Sequence, residues 1–103
     1  MIKYKEIISK TLRASYEKVD IEDYKVVGSV AYNINNRIID ANGDIRDADT
    51  NAHIANFNVY SEGETVRMNL TDCITGKMMD AVTVAEATLA DLSQSYPQET
   101  DMV

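Results

Sequence analysis

Ala55-Asn56-Phe57-Asn58-Val59-Tyr60-Ser61-Glu62-Gly63-Glu64-Thr65-Val66-Arg67-Met68-Asn69-Leu70 is the stretch whose reading decides the fold. Apolar residues occupy every second position on either side of Glu62-Gly63. A period of two marks a strand with one buried face. Glu62-Gly63 reads as a two-residue hairpin turn, Gly supplying the positive φ. A turn there sets Val59 against Val66, Phe57 against Met68 and Ala55 against Leu70. The other face pairs Tyr60 with Thr65, Asn58 with Arg67 and Asn56 with Asn69. A slip of one residue would set Phe57 against Arg67, so the pattern itself specifies the register. One wet face and one apolar face indicate an antiparallel sheet covered on a single side.

Toward the N-terminus, Tyr24 to Ile34 continues the alternation. Tyr24, Val26, Gly28, Val30, Tyr32 and Ile34 point one way, and Lys25, Val27, Ser29, Ala31 and Asn33 the other. Asn35-Asn36 can turn the chain. Arg37 to Ala41 then reads as a return strand, with Ile39 opposite Tyr32 and Ala41 opposite Val30. Asn42-Gly43 is a second strong turn signal. Before these strands, Tyr4, Ile8, Leu12, Tyr16 and Val19 recur at steps of four and three. That spacing predicts an amphipathic helix over residues 3–18, packed on the sheet by its aromatic and aliphatic stripe.

Toward the C-terminus, Thr75-Gly76 marks a turn and Lys77 to Val82 reads as a further strand. Thr83-Val84-Ala85-Glu86 has the form of a capping box. Ala85, Leu89, Leu92 and Tyr96 follow as the buried stripe of a C-terminal helix, and Pro97 stops it. Residues 1–96 are expected to form a single α+β domain. It would be an antiparallel β-meander of four to five strands, with an N-terminal and a C-terminal helix packed on one face. Residues 97–103 read as a disordered polar tail.

The chain has 103 residues, 45% of them hydrophobic and 26% charged, which are globular values. No apolar run is long enough to span a membrane. The first residues are charged and carry no apolar signal region, and Cys73 stands alone. Both point to a reducing, cytoplasmic setting. The net charge is -7. Lys3, Lys5, Lys10, Arg13 and Lys18 against Glu6 and Glu17 give residues 1–18 a balance of +3, which leaves -10 for residues 19–103. An acidic body argues against direct nucleic-acid binding, since phosphate contact needs clustered Lys and Arg. It favours basic partners instead.

Asp40-Ala41-Asn42-Gly43-Asp44-Ile45-Arg46-Asp47-Ala48-Asp49 is the densest group of oxygen ligands. Asp40, Asn42 and Asp44 match the first, third and fifth ligand positions of an EF-hand-type loop. Ile45 stands where that loop needs Gly, and Asn51 where it needs a bidentate Glu. A looser cation cage using Asp40, Asn42, Asp44, Asp47 and Asp49 is the remaining metal reading. The alternative is an acidic turn with its tip at Asn42-Gly43. His53 and Cys73 fall on opposite faces of the hairpin and form no nucleophile–base pair. His53 falls opposite Asp72, the one acid–base couple in the chain. Phosphate loops, nucleophile elbows and zinc-protease motifs are all missing from the sequence, and no cofactor is implied.

Asn56, Asn58, Tyr60, Arg67 and Asn69, with Thr71, line the wet face of the hairpin. Flat amide, phenol and guanidinium groups suit hydrogen-bonded recognition of a protein. These features add up to a small acidic, non-enzymatic interaction module that binds a protein partner, with its charge favouring a basic one, and forms a homodimer. A second expectation is a nucleic-acid mimic or inhibitor of a basic factor. A third is weak divalent-cation binding at residues 40–49.

Overall fold

The computed structural model describes residues 2–9, 13–32, 37–62 and 65–94. Strands β1 (Lys3–Ser9), β2 (Arg13–Ile21), β3 (Tyr24–Tyr32), β4 (Ile38–Asp47), β5 (His53–Glu62) and β6 (Thr65–Thr71) precede one helix, α1 (Met78–Gln94). The strands form a six-stranded sheet in chain order, each antiparallel to its sequence neighbours. The helix lies on β3, β4 and β5. An antiparallel meander with a C-terminal helix on one face is thus as the sequence predicts, but with six strands in place of four to five.

The covered face is built from cross-strand rows. One row runs Ala14, Val30, Ala41, Val59, and the next Tyr16, Gly28, Gly43, Phe57. A third runs Lys18, Val26, Ile45, Ala55. All but Gly28 are buried. From the helix, Ala81, Val84, Ala85, Thr88 and Leu92 complete the core. Spacings of three and four put these on one stripe. Burying a side chain such as Phe57 or Leu92 stabilises by about 2–3 kcal/mol each.

The N-terminal helix predicted over 3–18 is not there. Lys3–Ser9 and Arg13–Ile21 are strands. A spacing of four is also a multiple of two, so residues 4, 8, 12 and 16 fit either period. Ala14, Tyr16 and Lys18 alternate as buried residues along β2. Lys18 disguises that alternation, because its partner on the helix, Asp91, is distant in sequence.

Other expectations also shift. Observed pairs are Phe57–Leu70, Val59–Met68 and Ser61–Val66 on one face. Asn56–Thr71, Asn58–Asn69 and Tyr60–Arg67 fall on the other. The predicted register is off by two residues. A shift of two keeps every side chain on its predicted face, so the burial pattern cannot detect it. Glu62 pairs with Thr65 inside the ladder and is not a turn residue.

Ala41 faces Val30 as predicted, while Tyr32 faces Ile38 rather than Ile39 across an irregularity after Ala31. Thr75-Gly76 is a turn, with Gly76 at φ 84°. Lys77 to Val82 is not a strand: the helix begins at Met78. Thr83 is therefore interior, not a cap, and its hydroxyl donates to the Met79 carbonyl at 3.0 Å. Ile34, Asn35-Asn36, Tyr96 and the tail 97–103 lie outside the described residues.

Candidate functional site

Asn42-Gly43 is not a turn. It sits in the middle of β4, one of the inner strands. Gly43 faces Gly28 on β3 and Phe57 on β5. A Cβ on Gly43 would lie 2.2 Å from the Phe57 ring, and one on Gly28 2.0 Å from the Asn42 carbonyl oxygen. Glycine serves here to let neighbours approach closely, not to reverse the chain. Tyr16, opposite Gly28, donates its hydroxyl proton to that same Asn42 carbonyl at 2.8 Å. Aromatic residues thus flank the glycine pair on both sides.

Making β4 continuous relocates the acidic run. Ala41, Gly43 and Ile45 face the core, so Asp40, Asn42 and Asp44 face outward. Register then brings together two groups that the sequence separated. Asp40 lies beside Tyr60, Asn42 beside Asn58, and Asp44 beside Asn56. Beyond them stand Arg67, Asn69 and Thr71 on β6. On the other side, Ser29 follows Asn42 and Ser15 follows Ser29. One polar row therefore crosses five strands as Ser15, Ser29, Asn42, Asn58, Asn69. All five predicted interaction residues lie on this outer face. Among the described residues no helix covers it.

Several charges on this face are paired. Arg13 donates to both oxygens of Asp40 at 3.2 and 3.1 Å, bridging β2 and β4 above Ala31 of β3. Arg46 Nε donates to Asp44 at 2.6 Å, and Arg67 Nε lies 2.8 Å from Glu62. Asn42 Nδ2 donates to Ser29 Oγ at 2.9 Å, and the Ser29 amide returns a bond to Asn42 Oδ1 at 3.2 Å. The face is one of preset amides and ion pairs, not an open field of negative charge.

Asp47 and Asp49 are elsewhere. Asp47 Oδ1 accepts from the amides of Thr50 and Asp49, both at 2.9 Å. Those bonds, Thr50 foremost, hold the Asp47 pKa below its ordinary value. Asn51 closes the turn with φ 64°, its amide donating to the Asp47 carbonyl at 2.9 Å. Among the described residues no group of three or more His, Cys, Asp or Glu is arranged to hold a metal ion. The acidity instead gathers at one end of the sheet. The β2–β3 turn (Glu22, Asp23) touches the β4–β5 turn (Asp47, Asp49) through a 3.0 Å bond from the Ala48 amide to the Asp23 carbonyl.

His53 and Asp72 do meet, mainly through the backbone. His53 Nε2 donates to the Asp72 carbonyl at 2.7 Å, and Nδ1 faces Asp44 at 3.4 Å. A carbonyl only accepts, so Nε2 carries the proton. Neutral His53 would then aim a lone pair at a carboxylate. The Asp72 bond first, and Asp44 second, raise the His53 pKa. Both side chains stand exposed. Cys73 donates to the Ile74 carbonyl at 3.4 Å.

Lys18 is the site that sequence reading missed. It is 4% exposed, and its ammonium bonds Asp20 at 2.7 Å and Asp91 of α1. Burial alone would lower its pKa, but the Asp20 and Asp91 bonds outweigh it and raise it. Lys18 in return lowers the Asp20 pKa to about 2 and depresses that of Asp91. No signal in the local sequence marks this lysine, because Asp91 is remote in the chain.

No helix among the described residues is long and apolar enough to cross a membrane. No family model, curated protein or solved structure matches the chain.

Proposed function

We propose that the protein is a non-enzymatic, cytoplasmic interaction module that binds a protein partner across the outer face of its sheet. The observation that carries this is the convergence of Asp40, Asn42 and Asp44 with Asn56, Asn58, Tyr60, Arg67 and Asn69 on one uncovered surface. Amides held in rows offer donors and acceptors at strand spacing, and Tyr60, 39% exposed, adds a ring. Preset ion pairs lower the cost of ordering side chains on binding. The acidic end formed by the β2–β3 and β4–β5 turns favours a partner with basic residues at the rim of its interface.

The test is capture of partners with the intact chain against a Asn58→Lys/Tyr60→Ala variant. Loss of one reproducible partner in the variant, with an unchanged melting curve, supports the reading. Identical capture by both proteins would sink it. Rim charge adds salt sensitivity to the on-rate, so raising the salt should slow association more than it speeds release.

A further inference from the structure

The two edges of the sheet differ. β1 carries Lys3, Lys5 and Glu6, and its pairing with β2 breaks register twice. Charge and bulges are how natural edges avoid pairing with other chains. β6 has no bulge and little charge. It pairs with β5 without a register shift over its whole length, and Arg67 is its single charged residue. Its outer backbone groups lie at the edge of the sheet. The helix sits on β3, β4 and β5, so the core-side residues of β6 are incompletely covered. Val66 is 45% exposed there, and Met68 and Leu70 are only partly buried.

We infer that β6 pairs antiparallel with β6 of a second copy, about a two-fold axis through Met68 perpendicular to the sheet. The strand is its own complement in that register. Met68 meets Met68 of the second copy, and Val66 meets Leu70. On the outer face Arg67 meets Asn69, and Thr65 meets Thr71. On the core side apolar meets apolar, all seven residues of β6 pair, and no like charges face each other. Moving the axis to Arg67 would oppose two guanidiniums. Pairing β6 with β1 of another copy would set Arg67 on an edge that already holds Lys3 and Lys5. That head-to-tail contact would also leave edges open for further addition, whereas the two-fold contact closes. The result is a continuous sheet across both copies, with the helices on one side and the polar face on the other. This inference stands on the strand edge alone and holds whether or not the outer face binds a partner.

Thiol crosslinking in the full chain tests it. In a Cys73→Ser background, Met68→Cys puts two thiols across the axis, with facing Cα atoms roughly 5 Å apart, within disulfide reach. Val66→Cys is the control, because its copies lie roughly 13 Å apart along the strands. The expected result is a dimer by light scattering and crosslinking at 68 at least about tenfold faster than at 66, as fits a fixed local concentration. Val66→Lys should yield a monomer with unchanged circular dichroism. A wild-type monomer at submillimolar concentration, or equal crosslinking at both positions, overturns the inference. If Val66→Lys fails to fold, the comparison of the two conservative thiol variants still decides. Partner capture by the outer face is read separately, so failure of one idea does not register as failure of the other.

Discussion

Gly28 and Gly43 show how much one hydrogen atom in place of a methyl can decide. Their pairing lets Phe57 reach over β4 and lets Tyr16 reach the Asn42 carbonyl. Gly28→Ala is the harsher change, because its Cβ would strike backbone, which cannot rotate away. It should cost about 3 kcal/mol, measured by urea unfolding. A loss below about 0.5 kcal/mol would mean that the strands do not approach so closely. Asn51 makes the opposite demand. Its positive φ suits Gly or Asn, so Asn51→Gly should be near neutral and Asn51→Val should cost about 1–2 kcal/mol. The sequence marked Gly43 as special, but for a turn, and Gly28 as no more than a position on a strand face. Asn-Gly signals a turn only when nothing across the sheet needs the space above the Gly.

At the scale of elements, the helix is tied down at both ends. Near its start, Tyr24 of β3 donates its hydroxyl to Asp80 at 2.6 Å, and Lys77 donates to the Tyr24 oxygen at 3.3 Å. Near its end, the buried Tyr32 hydroxyl donates to the Leu92 carbonyl at 2.7 Å. The last carbonyls of a helix have no partner inside it. Tyr32→Phe should therefore cost about 1–2 kcal/mol by the same unfolding assay. Tyr24→Phe should cost less, since that bond is exposed. Both tyrosines were legible as strand residues on the apolar side. Their bonds were not, because the Thr83 capping box points to a later helix start than Met78 and the first turn is too short to show its period. Lys77 to Val82 has too few residues for periodicity to separate the two.

The whole molecule carries its clearest electrostatic signature in Lys18, Asp20 and Asp91. Both carboxylates have depressed pKa values in the fold. Their stabilisation is therefore present above the unfolded value near 3.8 and lost as pH falls toward about 2. Thermal melts between neutral pH and pH about 2 should show a steep acid limb, and Lys18→Met should flatten it. At neutral pH the same variant should lose about 2 kcal/mol, less than for a fully buried pair because Asp20 and Asp91 keep solvent contact. His53 runs the other way. Its raised pKa means its small contribution is complete below the ordinary value of 6.5 and fades as pH rises through the folded value. Proton NMR titration should place it above 6.5, and Asp44→Asn should bring it down.

The sequence by itself determined the alternating strands from Tyr24 onward, which side chains of the hairpin face water, the Thr75-Gly76 turn and the helix that follows. Those follow from local periodicity and from the backbone freedom of glycine, which neighbours in the chain suffice to express. Only the tertiary structure decided that Lys3–Ser9 and Arg13–Ile21 are strands, that Asn42-Gly43 runs straight, that the hairpin shifts by two, and that the acidic run joins the polar face. All but the hairpin shift involve contact between residues far apart in the chain: Lys18 with Asp91, Gly43 with Phe57, Asp40 with Arg13. A period of four fits helix and strand alike, and a shift of two leaves every face unchanged. Where the local pattern is degenerate in this way, packing makes the choice.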